Sequence, residues 1–175
     1  MALNSKKFDE LIIGCQKCPR LVEYARETKL NKRKDGFEID DYWCKPVPSF
    51  GNLEAHVLII GLAPGRHGAG RTGRPFTGDY AGEVLYRALH ESGFSSSKEA
   101  VSIDDELELY GVRIANAVRC APPQNKPLQE EILNCRPYLI QEIEMMENLK
   151  FVLALGNLAH KQLISSVRLK QTDFK

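Results

Sequence analysis

The 175-residue sequence has no long apolar run, no excess charge of either sign and no internal repeat. Its apolar stretches fall far short of the roughly 20 residues that a membrane-spanning helix needs. The amino-terminal residues MALNSKKFDELIIGC are polar and acidic where a signal peptide would be apolar. The net charge of +1 gives no overall sign of affinity for nucleic acid, so any basic footprint must be local. We expect one compact cytoplasmic domain spanning residues 1–175.

Helical and strand-like segments alternate along the chain. Helical spacing follows Asp79 and recurs in residues 128–147, where Pro137 is expected to break or kink the helix. At the amino terminus, Ser5 is expected to cap a short helix and Pro19 to begin a second one. Short apolar runs predict three strands: VLII at 57–60, VRIANAV at 112–118 and FVLAL at 151–155. The order β, α, β, α, β predicts an α/β fold with a parallel sheet covered by helices.

Residues 61–79, GLAPGRHGAGRTGRPFTGD, leave the first predicted strand with six glycines, two prolines and three arginines. Ligands of open α/β sheets bind beyond the carboxyl ends of the strands, and glycines let backbone N–H groups approach a ligand closely. The part GRHGAGRT resembles a phosphate-binding loop with Arg71 in place of lysine. Gly73, Pro75 and Gly78 oppose the helix that such a loop needs directly after it. We therefore expect a helix only after Asp79, and a surface loop without a ligand is the structural alternative.

Four of the five cysteines form two separated pairs. Cys15 and Cys18 make a C-x-x-C near the amino terminus, and Cys120 and Cys135 lie far downstream. In a reducing compartment these thiols argue against a disulfide framework and leave metal binding, redox chemistry or simple burial. Four thiolates fit either zinc or a [4Fe-4S] cluster, and the spacing alone does not separate the two. Cys44, in DYWCKP, is expected to be a small buried apolar residue.

Four motifs, GLAPGRHGAGRTGRPFTGD, NAVRCAPPQNKP, CQKCPRL and NCRPYL, together resemble the family 5 (UDGb-type) uracil-DNA glycosylases. The resemblance covers almost the whole chain, from Cys15 to about Leu163. It implies a three-layer α/β/α fold with a central, mainly parallel sheet. It implies removal of uracil, and of other deaminated bases such as hypoxanthine, from DNA by a monomeric repair enzyme. It also implies a [4Fe-4S] cluster, held by Cys15, Cys18, Cys120 and Cys135.

The same resemblance assigns roles to individual residues. A glycosylase takes the base out of the stack into a pocket that reads its Watson–Crick edge. Phe76 matches the aromatic residue that stacks on the base, and Asn116 matches the asparagine whose amide reads uracil. Asp79, counted with Asn116 as catalytic, matches the family's carboxylate, although its place before a helix also suits an N-cap. The implied base-binding backbone is Gly61, Leu62, Ala63, Pro64 and Gly65, and the implied phosphate contacts are Arg66, Arg71 and Arg74.

One motif of the family is missing. The family carries histidine-proline-serine or a close variant on a loop beyond a further strand, and no such motif follows FVLALGNLAHKQLISSV here. His160, in an expected helix, does not match it. We therefore expect a domain without its C-terminal strand, with an open sheet edge and little or no excision activity. The alternatives are an iron-sulfur protein that binds DNA without cleaving it and a redox or structural iron-sulfur module.

Overall fold

The computed structural model describes residues 4–31 and 33–168. Within these ranges the chain forms six α-helices, three β-strands and one short 3-10 turn. In chain order these are α1 (Ser5–Ile13), α2 (Pro19–Asn31), β1 (Val57–Gly61), α3 (Ala69–Thr72), α4 (Tyr80–Glu91), β2 (Val112–Asn116), the 3-10 turn (Pro123–Asn125), α5 (Gln129–Met145), β3 (Phe151–Ala154) and α6 (Asn157–Ser166). None of the helices in these ranges is both long and apolar enough to cross a membrane.

The strands form a parallel sheet in which β1 lies between β2 and β3. At the centre of β1, Ile59 stands opposite Ile114 of β2 and Leu153 of β3. The chain crosses from β1 to β2 through α4 and then back past β1 to β3 through α5. Because parallel crossovers are almost always right-handed, crossovers in opposite directions place their helices on opposite faces of the sheet.

The packing of β1 follows this arrangement. Leu58 and Ile60 pack in the core beneath α5 and α6, whereas Ile59 packs with Tyr86 of α4 on the other face. The sheet is thus covered by helices on both sides. The predicted three-layer α/β/α fold with its parallel sheet is confirmed.

The two outer strands differ in exposure. Every residue of β2 is buried, and an antiparallel bridge between Phe50 and Ile114 lies along its outer side. In the described ranges β3 has no partner on its outer side, and there Phe151 is 68% and Leu153 50% exposed. The β3 side of the sheet is therefore the less protected one.

Two local predictions about the helices meet the structure differently, and the one for the first cap is wrong. Asn4, not Ser5, caps α1, since the Oδ1 atom of Asn4 accepts a hydrogen bond of 3.0 Å from the amide of Lys7. Of the break or kink predicted at Pro137, the break does not occur, because α5 continues through this residue. The missing N–H of Pro137 would have bonded to the carbonyl group of Leu133, which lies on an exposed side of the helix where water can replace it.

The expectation that no helix precedes Asp79 is also wrong, because α3 interrupts the glycine-rich segment. α3 is four residues long and ends at Gly73, which has a φ of 81°. The amide of Gly73 donates to the carbonyl group of Ala69 at 2.9 Å, which closes the turn. This left-handed conformation is readily available only to glycine, so the residue that argued against a helix is the one that ends it.

Candidate active site and cysteine centre

A pocket of about 140 Å³ opens at the carboxyl ends of β1 and β2. We call it the strand-end pocket. The predicted base-binding and catalytic residues that line it are Gly61, Leu62, Ala63, Pro64, Gly65, Phe76, Asp79 and Asn116. The fold therefore brings into one cavity residues that are up to 55 positions apart, since the segment after β1 and the end of β2 meet at the same edge of the sheet.

Asn116 ends β2 and is only 3% exposed. Its Oδ1 atom lies close to Gly61, where an added Cβ atom would approach it to 2.5 Å. No hydrogen bond formed within the described residues engages the side-chain amide of Asn116. Buried amides normally have partners, so both the donor and the acceptor of this amide are available to a ligand in the strand-end pocket.

Phe76 is held in an unusual backbone conformation, with a φ of 57°. An added Cβ atom on Gly61 would approach the Cζ atom of Phe76 to 2.6 Å, and one on Gly82 would approach its carbonyl oxygen to 2.0 Å. A positive φ is strained for a bulky residue and persists only where the surroundings enforce it. The close packing of two glycines against Phe76 supplies that enforcement and places its ring on the pocket wall.

In the segment after β1, backbone carbonyl groups accept hydrogen bonds that hold the chain in place, whereas several backbone amides donate none within the described residues. The carbonyl group of Leu62 accepts a hydrogen bond from the amide of Val118 at 2.8 Å. Within the described part of the chain, the amides of Leu62, Ala63 and Gly65 donate to no acceptor. N–H groups without acceptors at the wall of a pocket can stabilise a negative charge that develops there.

Asp79 uses its two carboxylate oxygens differently. Oδ1 accepts a hydrogen bond from the amide of Gly82 at 3.0 Å, which confirms Asp79 as the N-cap of α4. Oδ2 lies beside the loop, where Cβ atoms added to Gly65 and Gly68 would approach it to 3.3 and 2.9 Å. Capping therefore leaves one oxygen of Asp79 available at the pocket.

Arg71 and Arg74, both predicted to contact DNA, are engaged in ion pairs within the protein. The Nη1 atom of Arg71 lies 2.6 Å from Oδ2 of Asp40. Arg74 is 3% exposed, pairs with Asp105, and its guanidinium lies 4.0 Å from the ring centre of Phe50. A buried, paired guanidinium is not accessible to a phosphate in this structure, so the burial of Arg74 argues against the predicted DNA contact.

The sequence could not indicate these partners. Asp40 and Asp105 each lie 31 positions from the arginine they bind, in segments without regular periodicity. Arg66 is placed differently, with its guanidinium 5.0 Å from the ring centre of Tyr24 and its side chain at the wall of a neighbouring cavity. Of the three, Arg66 keeps its place as a candidate DNA contact.

The four predicted metal ligands line one small cavity, which we call the cysteine centre. Cys15 and Cys18 lie in the turn between α1 and α2, Cys120 follows β2, and Cys135 lies in α5. The side chains of Leu21, Val118 and Ile132 pack around them. Three separate segments of the chain thus meet at these thiols.

The thiols of the cysteine centre affect one another. Burial raises the pKa of Cys120, and the neighbouring Cys135, Cys15 and Cys18 raise it further. Burial also raises the pKa of Cys135, against the opposing charge of Arg119. The raised pKa values of Cys120 and Cys135 favour their protonated thiols, and a metal bound there would have to displace those protons.

Two hydrogen bonds are directed at sulfur atoms in this centre. The amide of Arg119 donates to Sγ of Cys135 at 3.3 Å, and Nδ2 of Asn134 donates to Sγ of Cys18 at 3.7 Å. Such N–H···S bonds are the contacts that orient and tune metal-bound thiolates. In the part of the chain that the structure describes, no three His, Cys, Asp or Glu side chains are grouped so that they could hold a metal ion.

A wider, mostly apolar cavity of about 370 Å³ lies between α2 and residues 44–46. Cys44 lines this cavity and is half-buried, with a φ of 48°, rather than packed in the core as predicted. The candidate functional site is the smaller strand-end pocket, because an amide, a ring, a carboxylate and unpaired N–H groups converge there.

The structure also contains a buried ion network that the sequence pattern did not predict. Glu142 of α5 is fully buried and accepts hydrogen bonds from Nε of Arg113, at 2.7 Å, and from Nη2 of Arg119. Burial alone would raise the pKa of Glu142, but the charges of Arg119 and Arg113 lower it, so the carboxylate is ionised. The one sequence signal was Arg113 itself, a charged residue inside an apolar strand.

The Uracil DNA glycosylase superfamily model matches residues 48–173. A type-5 uracil-DNA glycosylase from Thermus thermophilus is 44% identical over 170 residues, which are 97% of this chain and 76% of that protein. Another from Pyrobaculum aerophilum is 41% identical over 96% of this chain and 73% of its own length. One from Mycobacterium bovis is 43% identical over 87% of this chain and 57% of its own length. The chain therefore belongs to the uracil-DNA glycosylase superfamily, and within it to the type-5 family.

Proposed function

We propose that this protein is a repair enzyme that excises uracil from DNA by hydrolysing the N-glycosidic bond. The observation that carries the proposal is the side-chain amide of Asn116, which is almost buried in the strand-end pocket and unused by any hydrogen bond within the described residues. The names of the type-5 relatives support the same activity.

Recognition follows from the hydrogen-bonding pattern of the base. Nδ2 of Asn116 can donate to O4 of uracil, and Oδ1 can accept from its N3–H. Cytosine presents the reverse pattern, with an amino donor and an unprotonated N3. The ring of Phe76, beside Asn116 in the same wall, offers a surface for stacking on the extruded base.

The remaining groups of the pocket match the charges that develop during hydrolysis. The electron pair of the C–N bond leaves with the base, the oxygen of a water molecule bonds to C1′ of the sugar, and the proton released from water ends on the base. The free amides of Leu62, Ala63 and Gly65 would stabilise the anionic base. Oδ2 of Asp79 would stabilise the cationic sugar or accept the proton of the attacking water.

We propose with it that Cys15, Cys18, Cys120 and Cys135 hold a [4Fe-4S] cluster. The donor set is four thiols around one cavity. A single ion would need sulfur atoms about 2.3 Å from it, whereas the thiolates of a cluster bind different iron atoms and stand farther apart. All four thiols line the same small cavity, which is the observation that supports the cluster. When bound, the cluster would cross-link the α1–α2 turn, the end of β2 and α5.

The proposed substrate is DNA that carries uracil or another deaminated base such as hypoxanthine, and the proposed acting form is a monomer. We place the enzyme in the cytoplasm, because its free thiols require a reducing compartment.

The activity is tested by single-turnover incubation of anaerobically purified protein with single-stranded oligonucleotides that differ in one base, uracil or cytosine. Release of uracil and retention of cytosine are expected. If neither base is released while the oligonucleotide is bound, the protein is a DNA-binding member without excision activity, and the proposal is wrong.

The cluster is tested by iron analysis and visible absorption of the same preparation. Replacing Cys15, Cys18, Cys120 or Cys135 by alanine should remove iron and lower the thermal midpoint, since metal binding and folding are coupled. Cys44→Ala is the matched control and should retain the parent's iron. Colourless parent protein with stoichiometric zinc would overturn the iron assignment.

A further inference from the structure

One short segment joins the two sites. It begins at Asn116 in the strand-end pocket and ends at Cys120 in the cysteine centre. Between these ends every residue is fixed by its backbone amide: Ala117 donates to the carbonyl group of Gly61 at 2.9 Å, Val118 to that of Leu62 at 2.8 Å, and Arg119 to Sγ of Cys135 at 3.3 Å. A displacement of this segment would therefore reach both sites.

Arg119 is the most constrained residue of this segment. Its side chain is 2% exposed, with Nη2 bonded to Glu142 and Nη1 bonded to Oγ of Ser49 at 2.5 Å. Its carbonyl group accepts from the amide of Val47 at 2.7 Å. A buried guanidinium with a charged partner is costly to move, because displacement would leave either charge unpaired.

The two contacts of Arg119 with α5 come from one face of that helix. Cys135 and Glu142 are seven positions apart, which is close to two helical turns. Cys135 receives the backbone amide of Arg119, and Glu142 receives its guanidinium. The same helix face thus fixes both the main chain and the side chain of Arg119.

Resting on the proposed function, we infer that Arg119 is a positioning residue that couples the cysteine centre to the strand-end pocket. Its pairing with Glu142 and Ser49 fixes the segment that carries Asn116 at one end and Cys120 at the other. Loss of this pairing should loosen cluster retention and base recognition together, as expected for a residue behind metal ligands.

Arg113 provides a matched control for Arg119. It is equally buried and bonds to the other carboxylate oxygen of Glu142. Its remaining contacts are with Asp9, at 3.7 Å, and with the carbonyl group of Gly51. Arg113 is therefore tied to the same carboxylate, and none of its side-chain hydrogen bonds or ion pairs within the described residues involves the cysteines or residues 117–120.

The test compares Arg119→Met with Arg113→Met in iron-loaded protein. The measurements are the rate at which a chelator removes iron, the electron paramagnetic resonance spectrum of the reduced cluster, the thermal midpoint, and single-turnover uracil excision. Both variants should lose stability to a similar degree. Arg119→Met alone should change the spectrum, release iron about 10- to 100-fold faster and slow excision by a similar factor.

Ser49→Ala serves if the methionine variants do not fold, since it removes one hydrogen bond of Arg119 and leaves no charge unpaired. It should change iron release and excision in the same direction by a smaller factor. Equal iron release, spectra and excision in the Arg119 and Arg113 variants, or parent values for Ser49→Ala, would overturn the inference and leave the network a structural one.

The same measurements separate this inference from the proposed function. A parent protein that excises uracil but contains no iron would overturn the coupling and leave the activity standing. A parent protein that holds the cluster without excising uracil would overturn the activity, and iron release and spectra would still decide the role of Arg119.

Discussion

The strand-end pocket and the cysteine centre are built by different means. The pocket is formed mainly by backbone, with Gly61 and Gly82 leaving the space that Asn116 and Phe76 occupy. The cysteine centre is formed by side chains, and its neighbour Glu142 is held by two buried arginines. Adding a single methyl group at a glycine should therefore destroy the strand-end pocket. Removing a single side chain should weaken the cysteine centre.

The largest effect is expected from Gly61→Ala, which adds a methyl group to the strand-end pocket. Its Cβ atom would lie within 2.6 Å of both Oδ1 of Asn116 and the ring of Phe76, so both side chains must move. Because two contacts with the base are lost, we expect single-turnover excision to fall by more than about a thousandfold. Iron content should match that of the parent.

Gly36→Ala is the control for this change. Gly36 has a φ of 85° and nothing within 4 Å of an added Cβ atom, so the substitution costs only backbone strain of about 1 kcal/mol. Excision should be unchanged. Equal losses in the two variants would show that Gly61 acts through stability. Iron loss in Gly61→Ala would show that the added methyl group displaces the backbone of residues 116–120 and not only the side chains of Asn116 and Phe76.

A smaller effect is expected from Asp79, which serves the pocket and α4 at once. Asp79→Asn keeps an acceptor for the amide of Gly82 and removes the negative charge. Excision should fall about 100-fold with little change in the thermal midpoint. Asp79→Ala should add a stability loss of about 1 kcal/mol from the missing cap. Excision by Asp79→Asn at the parent rate would assign Asp79 to capping alone.

Near the cysteine centre, Glu131 should make a contribution to the stability of the fold that depends on pH. Burial alone would raise the pKa of Glu131, but hydrogen bonds from Arg20 and from the amide of Leu128 hold it below its ordinary value of 4.5. Ionised Glu131 therefore stabilises the fold above about pH 4.5, and this contribution is lost as the pH falls towards the lower folded pKa.

Glu131→Gln should lower stability at pH 7 by about 1 kcal/mol, a modest value because Arg20 is partly exposed. The thermal midpoints of parent and variant should converge as the pH is lowered below 4.5. Excision at pH 7 should stay near the parent rate. A midpoint difference that is constant from pH 7 to pH 4 would contradict the ion-pair account.

The smallest effect concerns the loop arginines and the salt dependence of DNA binding. Arg66→Ala should weaken binding of single-stranded DNA a few-fold and lower the slope of log affinity against log salt by about 1. Arg71→Ala should leave that slope nearly unchanged, because the charge of Arg71 is already neutralised by Asp40. A slope change for Arg71→Ala and none for Arg66→Ala would reverse the assignment.

The sequence predicted the parts of the molecule that rest on local pattern. Apolar runs located all three strands of the described residues, and the alternation of strands and helices predicted the parallel sheet. Asn116, Phe76 and Asp79 meet in one pocket because the ends of parallel strands share an edge, which topology alone implies. The N-cap of α4 followed from the position of one aspartate.

The parts that depend on distant partners could not be predicted in the same way. The sequence around Arg74 is typical of an exposed loop arginine. In the structure its side chain is buried and its charge is paired with that of Asp105, 31 positions away. The pairing of Arg119 with Glu142 joins a loop to the last turn of α5, a helix whose periodicity shows only that one face is buried. The tertiary fold determines which distant charged residues form a pair. A single sequence does not show which pair that is.

The proposed function depends most on Asn116, which we propose reads uracil in the strand-end pocket. The most direct measurement is single-turnover excision from a single-stranded oligonucleotide with one uracil, by the parent and by Asn116→Ala, with iron determined in each preparation. The parent should release uracil, and Asn116→Ala should be slower by at least about 100-fold at equal iron content. Excision by Asn116→Ala at the parent rate would contradict the claim.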